Sequence, residues 1–328
     1  MFLLIKFNRK VLLILALVVL TTFTLSGCGK PPEGAVAKVD GDFISKTDFD
    51  ENFNMYKKVY QQQFGEDIMS KDAGNGKTFE EAIREQVLEK LIVEKIILNY
   101  AEKNNITVTD EEVNKQIASY KEVLGGEENY KSFLTKNNIT DEYFKQGIRK
   151  EMIIDKYRTD YVSKIKIDDK EAKKHFEENK DTYIKLRASH ILVETEDSAK
   201  AILEKINNGE DFHALAGKES IDTNTAVKGG DLGYFRKGEM AKEFEDAAFK
   251  LKPGEVSDII KTDHGFHIIK LDERVDKYAD LKDDVIADMK NVKYNENLKK
   301  MRADAKVKIY MEEEKPVNKE GTKKEEKK

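Results

Sequence analysis

The sequence predicts an α+β protein in which a strand-rich domain is inserted into a mostly helical one. Three observations carry this expectation. Apolar residues recur at helical spacing over about residues 46–180 and again over 278–306. Between residues 185 and 275 the pattern changes to alternating strands, short helices and glycine turns. Short strand signals, "AVAKVDGDFIS" (35–45) and "VKIY" (307–310), lie at the two ends of the helical part, so its first and last segments are expected to meet. At 328 residues there is room for two domains, and 39% apolar residues beside 37% charged ones describe a folded, highly charged body.

The N-terminus reads as a targeting segment. "KFNRK" (6–10) is a basic n-region and "VLLILALVVL" (11–20) an apolar core shorter than the roughly 20 residues a spanning helix needs. "LSGC" (25–28) follows and resembles the lipobox of bacterial lipoproteins. Residues 1–27 are therefore expected to be a signal peptide. Cys28, the only cysteine, is the expected lipidation site and mature N-terminus, so no internal disulfide is possible. An uncleaved signal-anchor with an incidental cysteine is the alternative. Two acyl chains hold a protein to a membrane where one does not, at roughly 0.8 kcal/mol per buried CH₂. The body is then expected on the extracytoplasmic face of the cell membrane. Lys6, Arg9 and Lys10 are the only charges in that segment, so its loss takes the net charge from −5 to −8. Such a body has no reason to seek nucleic acid.

Residues 28–34 form the lipidated N-terminus and linker. In the hairpin 35–45 the turn falls at Asp40–Gly41. "TFEE" (78–81) and "TDEE" (109–112) are capping boxes, and "TDEY" (140–143) keeps the N-cap part. The helix opened by Thr78 presents Ile83, Val87, Leu88, Leu91, Ile92 and Ile96 on one side. The tail 311–328 is rich in Glu and Lys and is expected to be disordered.

"RASHILVE" (187–194) places Ala188, His190 and Leu192 on one strand face. "GFHIIKL" (265–271) places His267 beside Ile269 and Leu271. A histidine inside an apolar strand needs a partner. His264 and His267 are three apart, an odd spacing that sends them to opposite strand faces, so no metal site is expected. No G-x-S-x-G elbow is present, and "GGDLGYF" lacks the features of a phosphate loop.

"RASHILV", "DSAKAILEKINNGEDFHALAGKESID", "GGDLGYFRKGEM" and "KEFEDAAFKLKPGEVSDIIKTDHGFHIIKL" occur in an order that resembles a parvulin-type peptidyl-prolyl isomerase domain. The whole chain resembles the PrsA-like foldase lipoproteins of Gram-positive bacteria, and its N-terminal hairpin and helices, more loosely, the chaperone portion of SurA. The resemblance implies a small antiparallel sheet flanked by helices over 185–275. It implies helical chaperone parts at 35–184 and 276–310. The expected clients are unfolded or partly folded secreted proteins with Xaa-Pro bonds; self-association is a further expectation, and no cofactor is expected.

By the same resemblance His190 and His267 lie ring against ring beneath the pocket, setting its hydrogen bonding; a purely structural role for them stays open. Asp222 is expected nearest the substrate amide, with a raised pKa from partial desolvation, and Thr223 is the alternative. Leu232, Met240 and Phe244 form the proline cup, with Phe266 closing its far side. Met240 and Phe244 share a face if their helix begins early enough. Thr262 is a candidate for the histidine network and His264 for the rim. "VETEDSAK" is acidic where phosphate-directed relatives are basic, so phosphoserine specificity is not expected. A non-catalytic chaperone with an inactive parvulin domain is the competing expectation.

Overall fold

The computed structural model describes residues 34–311 except 75 and 138. The expected signal peptide, Cys28 and the charged tail after Met311 lie outside the described residues. The described residues divide into two compact units, one up to Lys164 and from Tyr294 onward, the other Ile165–Lys293.

The first unit opens with β1 (Ala35–Val39) and β2 (Asp42–Ser45), joined through Asp40 and Gly41 at φ of 51° and 118°. A two-residue hairpin turn needs positive φ at both positions. Glycine takes it freely, and aspartate tolerates it through its short polar side chain. Strand β7 (Val307–Ile309) adds antiparallel to β1, with Val39 opposite Val307, giving the order β2-β1-β7. The first and last segments of this unit do meet.

Five helices follow the hairpin: α1 (Lys46–Phe64), α2 (Phe79–Lys103), α3 (Asp110–Val123), α4 (Glu127–Lys136) and α5 (Asp141–Lys164). Their starts are fixed locally. Thr78 Oγ1 accepts from Glu81 N at 3.2 Å while Thr78 N donates to Glu81 Oε2 at 2.7 Å, and Thr109 and Glu112 repeat the exchange. Thr140 Oγ1 accepts from Tyr143 N at 3.1 Å. The six apolar residues expected on one side of α2 are all buried, and several pack with the hairpin and with Phe49 and Phe53 of α1. A second core gathers around Tyr130, Phe144 and Ile148.

The second unit holds α6 (Asp169–Glu178), α7 (Lys180–Tyr183) and a four-stranded antiparallel sheet. Its strands are β3 (Lys185–Val193), β4 (Asp231–Phe235), β5 (Ile260–Thr262) and β6 (Gly265–Val275), in the order β4-β3-β6-β5. Helices α8 (Glu196–Asn207), α9 (Phe212–Glu219), α10 (Thr223–Ala226) and α11 (Lys242–Ala248) complete it. Strand alternation sorts the core into two layers. Leu186, Ala188, Ile269 and Leu271 pack with Phe235, Phe244 and Ala248 on one face. Ile191, Val193 and Ile268 pack with residues of α8 and α9 on the other.

Helix α12 (Tyr278–Asp304) contributes Leu281, Val285 and Met289 to a cluster with Ala172, Phe176 and Tyr183. That cluster is why this unit extends to 165 and 293, outside the 185–275 limits read from the sequence. Further along, α12 places Tyr294 against Tyr157 and pairs Arg302 with Glu89 at 2.7 and 3.1 Å, within the first unit. Among the described residues no helix is long and apolar enough to cross a membrane.

Candidate active site

Strands β3 and β6 pair with His190 opposite Ile269 and Leu192 opposite His267, which sets the two histidines diagonally on one face. Both are 5% exposed. Their rings stack at 5.4 Å between centroids and 25° between planes, with Nδ1 to Nδ1 at 3.2 Å. Each ring also has a second partner. His190 Nε2 lies 2.9 Å from Asp222 Oδ2 and 3.1 Å from Thr225 Oγ1, and His267 Nε2 lies 2.8 Å from Thr262 Oγ1.

With both rings neutral, these contacts have one consistent polarity. An ionised carboxylate only accepts, so a neutral His190 donates from Nε2 and accepts at Nδ1. His267 therefore donates from Nδ1, and its Nε2 accepts from the Thr262 hydroxyl. Thr262 Oγ1 in turn accepts from His264 N at 3.1 Å. The result is a directed chain from the β5–β6 turn, through two neutral imidazoles, to Asp222. Burial is the main influence that holds His267 down at about 4; any positive charge taken up by His190 or His264 lowers it further while Asp222 pulls the other way, so it stays neutral at physiological pH.

Asp222 is the N-cap of α10, accepting from Asn224 N at 3.2 Å. Its pKa runs opposite to the sequence expectation. Burial is the largest single influence and raises it, but hydrogen bonds from the Thr225 hydroxyl at 2.6 Å and from His190, any positive charge that His190 takes up, and the Asn224 amide together hold it below the usual value. The expectation of a raised pKa counted desolvation and not the donors that the loop supplies.

Beside this chain lies an apolar wall. Phe244 is buried, with its ring edge-on to His190 at 6.0 Å and to His267 at 5.5 Å. Leu232 and Met240 pack into the same cluster and remain partly exposed. Met240 precedes α11, which starts at Lys242, so it reaches Phe244 from a turn rather than along a helix face.

Other residues fall elsewhere. Phe266 packs with the cluster containing Ile191 and Ile268, on the opposite sheet face from His267, because adjacent strand residues point to opposite sides. It does not close the far side of the cup. Thr223 is exposed and stands apart from the rings. Thr225, which does join them, was missed; its position three residues after an N-capping Asp222 is the signal that was available. His264 is exposed in the β5–β6 turn and enters the chain through its backbone. The whole arrangement can orient hydrogen bonds at an amide next to an apolar ring site.

Residues 1–158 match the model of the SurA-like N-terminal domain, and 186–273 match the PPIC-type peptidyl-prolyl isomerase domain. The chain is 38% identical to the foldase protein PrsA of Caldanaerobacter subterraneus, over 80% of this chain and 82% of that one. It is 38% identical to the PrsA of Geobacillus kaustophilus, over 70% and 76%. It is 31% identical to a PrsA of Clostridium botulinum, over 93% and 98%. The chain belongs to the PrsA foldase family, and is a parvulin-type peptidyl-prolyl cis-trans isomerase joined to a SurA-like chaperone part.

Proposed function

We propose that His190, Asp222 and His267 are the catalytic constellation and that Leu232, Met240 and Phe244 seat the substrate proline. Rotation about an amide is opposed by about 18–20 kcal/mol because resonance keeps it planar. No bond has to break. A catalyst needs only to favour the twisted amide over either planar form. The pyrrolidine ring rests on the half-buried Leu232 and Met240 and against Phe244, with water excluded. The Asp222 end of the polar chain faces the rotating carbonyl and nitrogen. The neutral imidazoles fix the direction of its hydrogen bonds without exchanging protons with substrate. Thr225 and Thr262 hold the two ends of the chain.

The observation that carries this reading is the directed chain Thr262–His267–His190–Asp222 set beside an apolar surface that is not fully closed.

The remaining parts divide the work. Residues 35–184 and 276–310 hold unfolded segments, 185–275 isomerise Xaa-Pro bonds, and 311–328 are a charged tail. Lipidated Cys28 tethers the protein to the outer face of the cell membrane, where exported proteins emerge. Two copies associate through the helical part, which sedimentation of the full chain tests.

The catalytic assignment is tested by NMR exchange on short Xaa-Pro peptides with the full chain added. The native protein accelerates cis–trans exchange. Folded Asp222→Ala is slower by about tenfold or more, and Asp222→Asn, which keeps an acceptor for His190, retains more of the rate. Native rates in both variants would remove Asp222 from the site. Spontaneous rates with the native protein would leave a non-catalytic chaperone.

A further inference from the structure

We infer that His213, on the reverse face of the isomerase sheet, is a positioning residue that holds the loop carrying Asp222 and Thr225 against His190. This rests on the catalytic role proposed for that loop.

The loop runs from Ser220 to Gly230 and is pinned to β3 at both ends. At its entry, Leu192 N donates to Ser220 Oγ at 3.1 Å and Ile221 N to the Leu192 carbonyl at 2.8 Å. At its exit, His190 N donates to the Gly230 carbonyl at 2.9 Å, and Gly230 N returns to the Thr225 carbonyl at 2.9 Å. The exit thus touches both the backbone of His190 and the residue that hydrogen-bonds its ring.

The exit lies directly on α9. A Cβ at Gly229 would stand 2.9 Å from His213 Cβ, and one at Gly230 would stand 3.1 Å from Ala216 Cβ and 2.3 Å from the His190 carbonyl oxygen. Both glycines have positive φ, 68° and 86°. His213 and Ala216, three apart on the helix, form the seat.

His213 supplies the polar contact there. Its Nδ1 is 3.0 Å from the Gly229 carbonyl oxygen, which only accepts, so Nδ1 carries the proton. Nε2 is then an acceptor, and Lys270 Nζ lies 3.3 Å from it. Asp272 Oδ1 stands 4.0 Å from Nε2, and Asp272 Oδ2 accepts from Ser189 Oγ at 2.7 Å. Ser189 and Lys270 are direct partners across β3 and β6. With both ring nitrogens engaged, one tautomer and one ring orientation are selected, although the side chain is 42% exposed. A side chain needed only for burial would show neither feature. The reverse face therefore braces the loop that the catalytic face uses.

Two polar substitutions of the full chain separate this from general stability. His213→Asn places an amide nitrogen near the position of Nδ1 and keeps the bond to Gly229; His213→Gln places it near Nε2 and loses that bond. The readouts are kcat and KM on an Xaa-Pro peptide and the ¹⁵N–¹H signal of the His190 ring. His213→Gln is expected to lower kcat about three- to tenfold with KM little changed and to move the His190 Nε2–H signal, while His213→Asn stays within about twofold of native. Equal rates in the two variants, or an unmoved His190 signal, overturn the inference while a slow Asp222→Ala leaves the site assignment standing. Native rates in all three variants overturn both.

Discussion

The two units differ in what they bury. Apart from tyrosines such as Tyr130 and Tyr157, Asn99 is the one buried polar side chain among the described residues of the helical unit; the isomerase unit buries Ser189, His190, Ser257 and His267. The helical unit is specified by apolar stripes and by caps such as Thr78 and Thr109, whose donors and acceptors lie at helix ends near water. In the isomerase unit, polar groups sit within the sheet layers and each must find a partner there. Burial of a polar group does not itself mark function. Ser257 accepts from Ile269 N at 2.9 Å and donates to the Asp258 carbonyl at 2.6 Å, a closed structural arrangement. The histidine pair differs because its chain of bonds continues outward to a partly exposed carboxylate beside a partly exposed apolar wall.

This contrast can be broken or sharpened by substitution. The largest expected effect belongs to the apolar interior: Phe49, 1% exposed, converted to Ala should cost about 3–5 kcal/mol in urea unfolding while the folded protein isomerises peptides at the native rate. A cost under about 1 kcal/mol would mean that the helical core is not held by burial.

Next is acid sensitivity. The folded-state value of His267 is about 4 against 6.5 unperturbed, so the unfolded chain binds its proton first as pH falls. Its neutral burial is without penalty above about pH 6.5, and roughly 3 kcal/mol of stability is lost as pH drops from there to about 4. Asp222, lowered in the folded state, stabilises above its unfolded value of 3.8 and adds a further loss below it. Urea midpoints should fall between pH 7 and 4 through His267 and further below pH 4 through Asp222, and His267→Leu should flatten the slope between pH 7 and 4; an unchanged slope there would contradict the neutral buried imidazole.

Smaller effects follow within the loop and at a cap. Thr225→Val removes the donor to Asp222 and should slow peptide exchange about tenfold, whereas Thr223→Val should leave it unchanged. Equal effects would return Thr223 to contention. Thr78→Ala removes both side-chain bonds of its capping box and should cost about 1 kcal/mol in urea unfolding with no change in rate.

Much of this was legible in the sequence where the determinant is local. The Asp40–Gly41 turn, the Thr78 and Thr109 boxes and the stripe on α2 are each set by residues a few positions apart. The meeting of β1 and β7 was legible because both ends of a helical stretch carried strand signals. His190, His267, Asp222 and Thr262 were legible only by family resemblance, since nothing local says that residues 77 apart stack. Thr225 and His213 were missed because their partners are set by the path of the 220–230 loop over α9. Phe266 was misplaced although strand alternation, visible in "GFHIIKL", already put it opposite His267. The direction of the Asp222 shift failed for a related reason: counting donors to a carboxylate requires the folded loop.

The most direct test of the directed chain is a long-range ¹H–¹⁵N spectrum of the histidine rings near pH 7, with and without saturating Xaa-Pro peptide. The account predicts His267 protonated at Nδ1 only, His190 protonated at Nε2 and accepting at Nδ1, and a peptide-induced shift concentrated on His190. An imidazolium at His267, the reversed tautomers, or ring signals indifferent to bound peptide would contradict it.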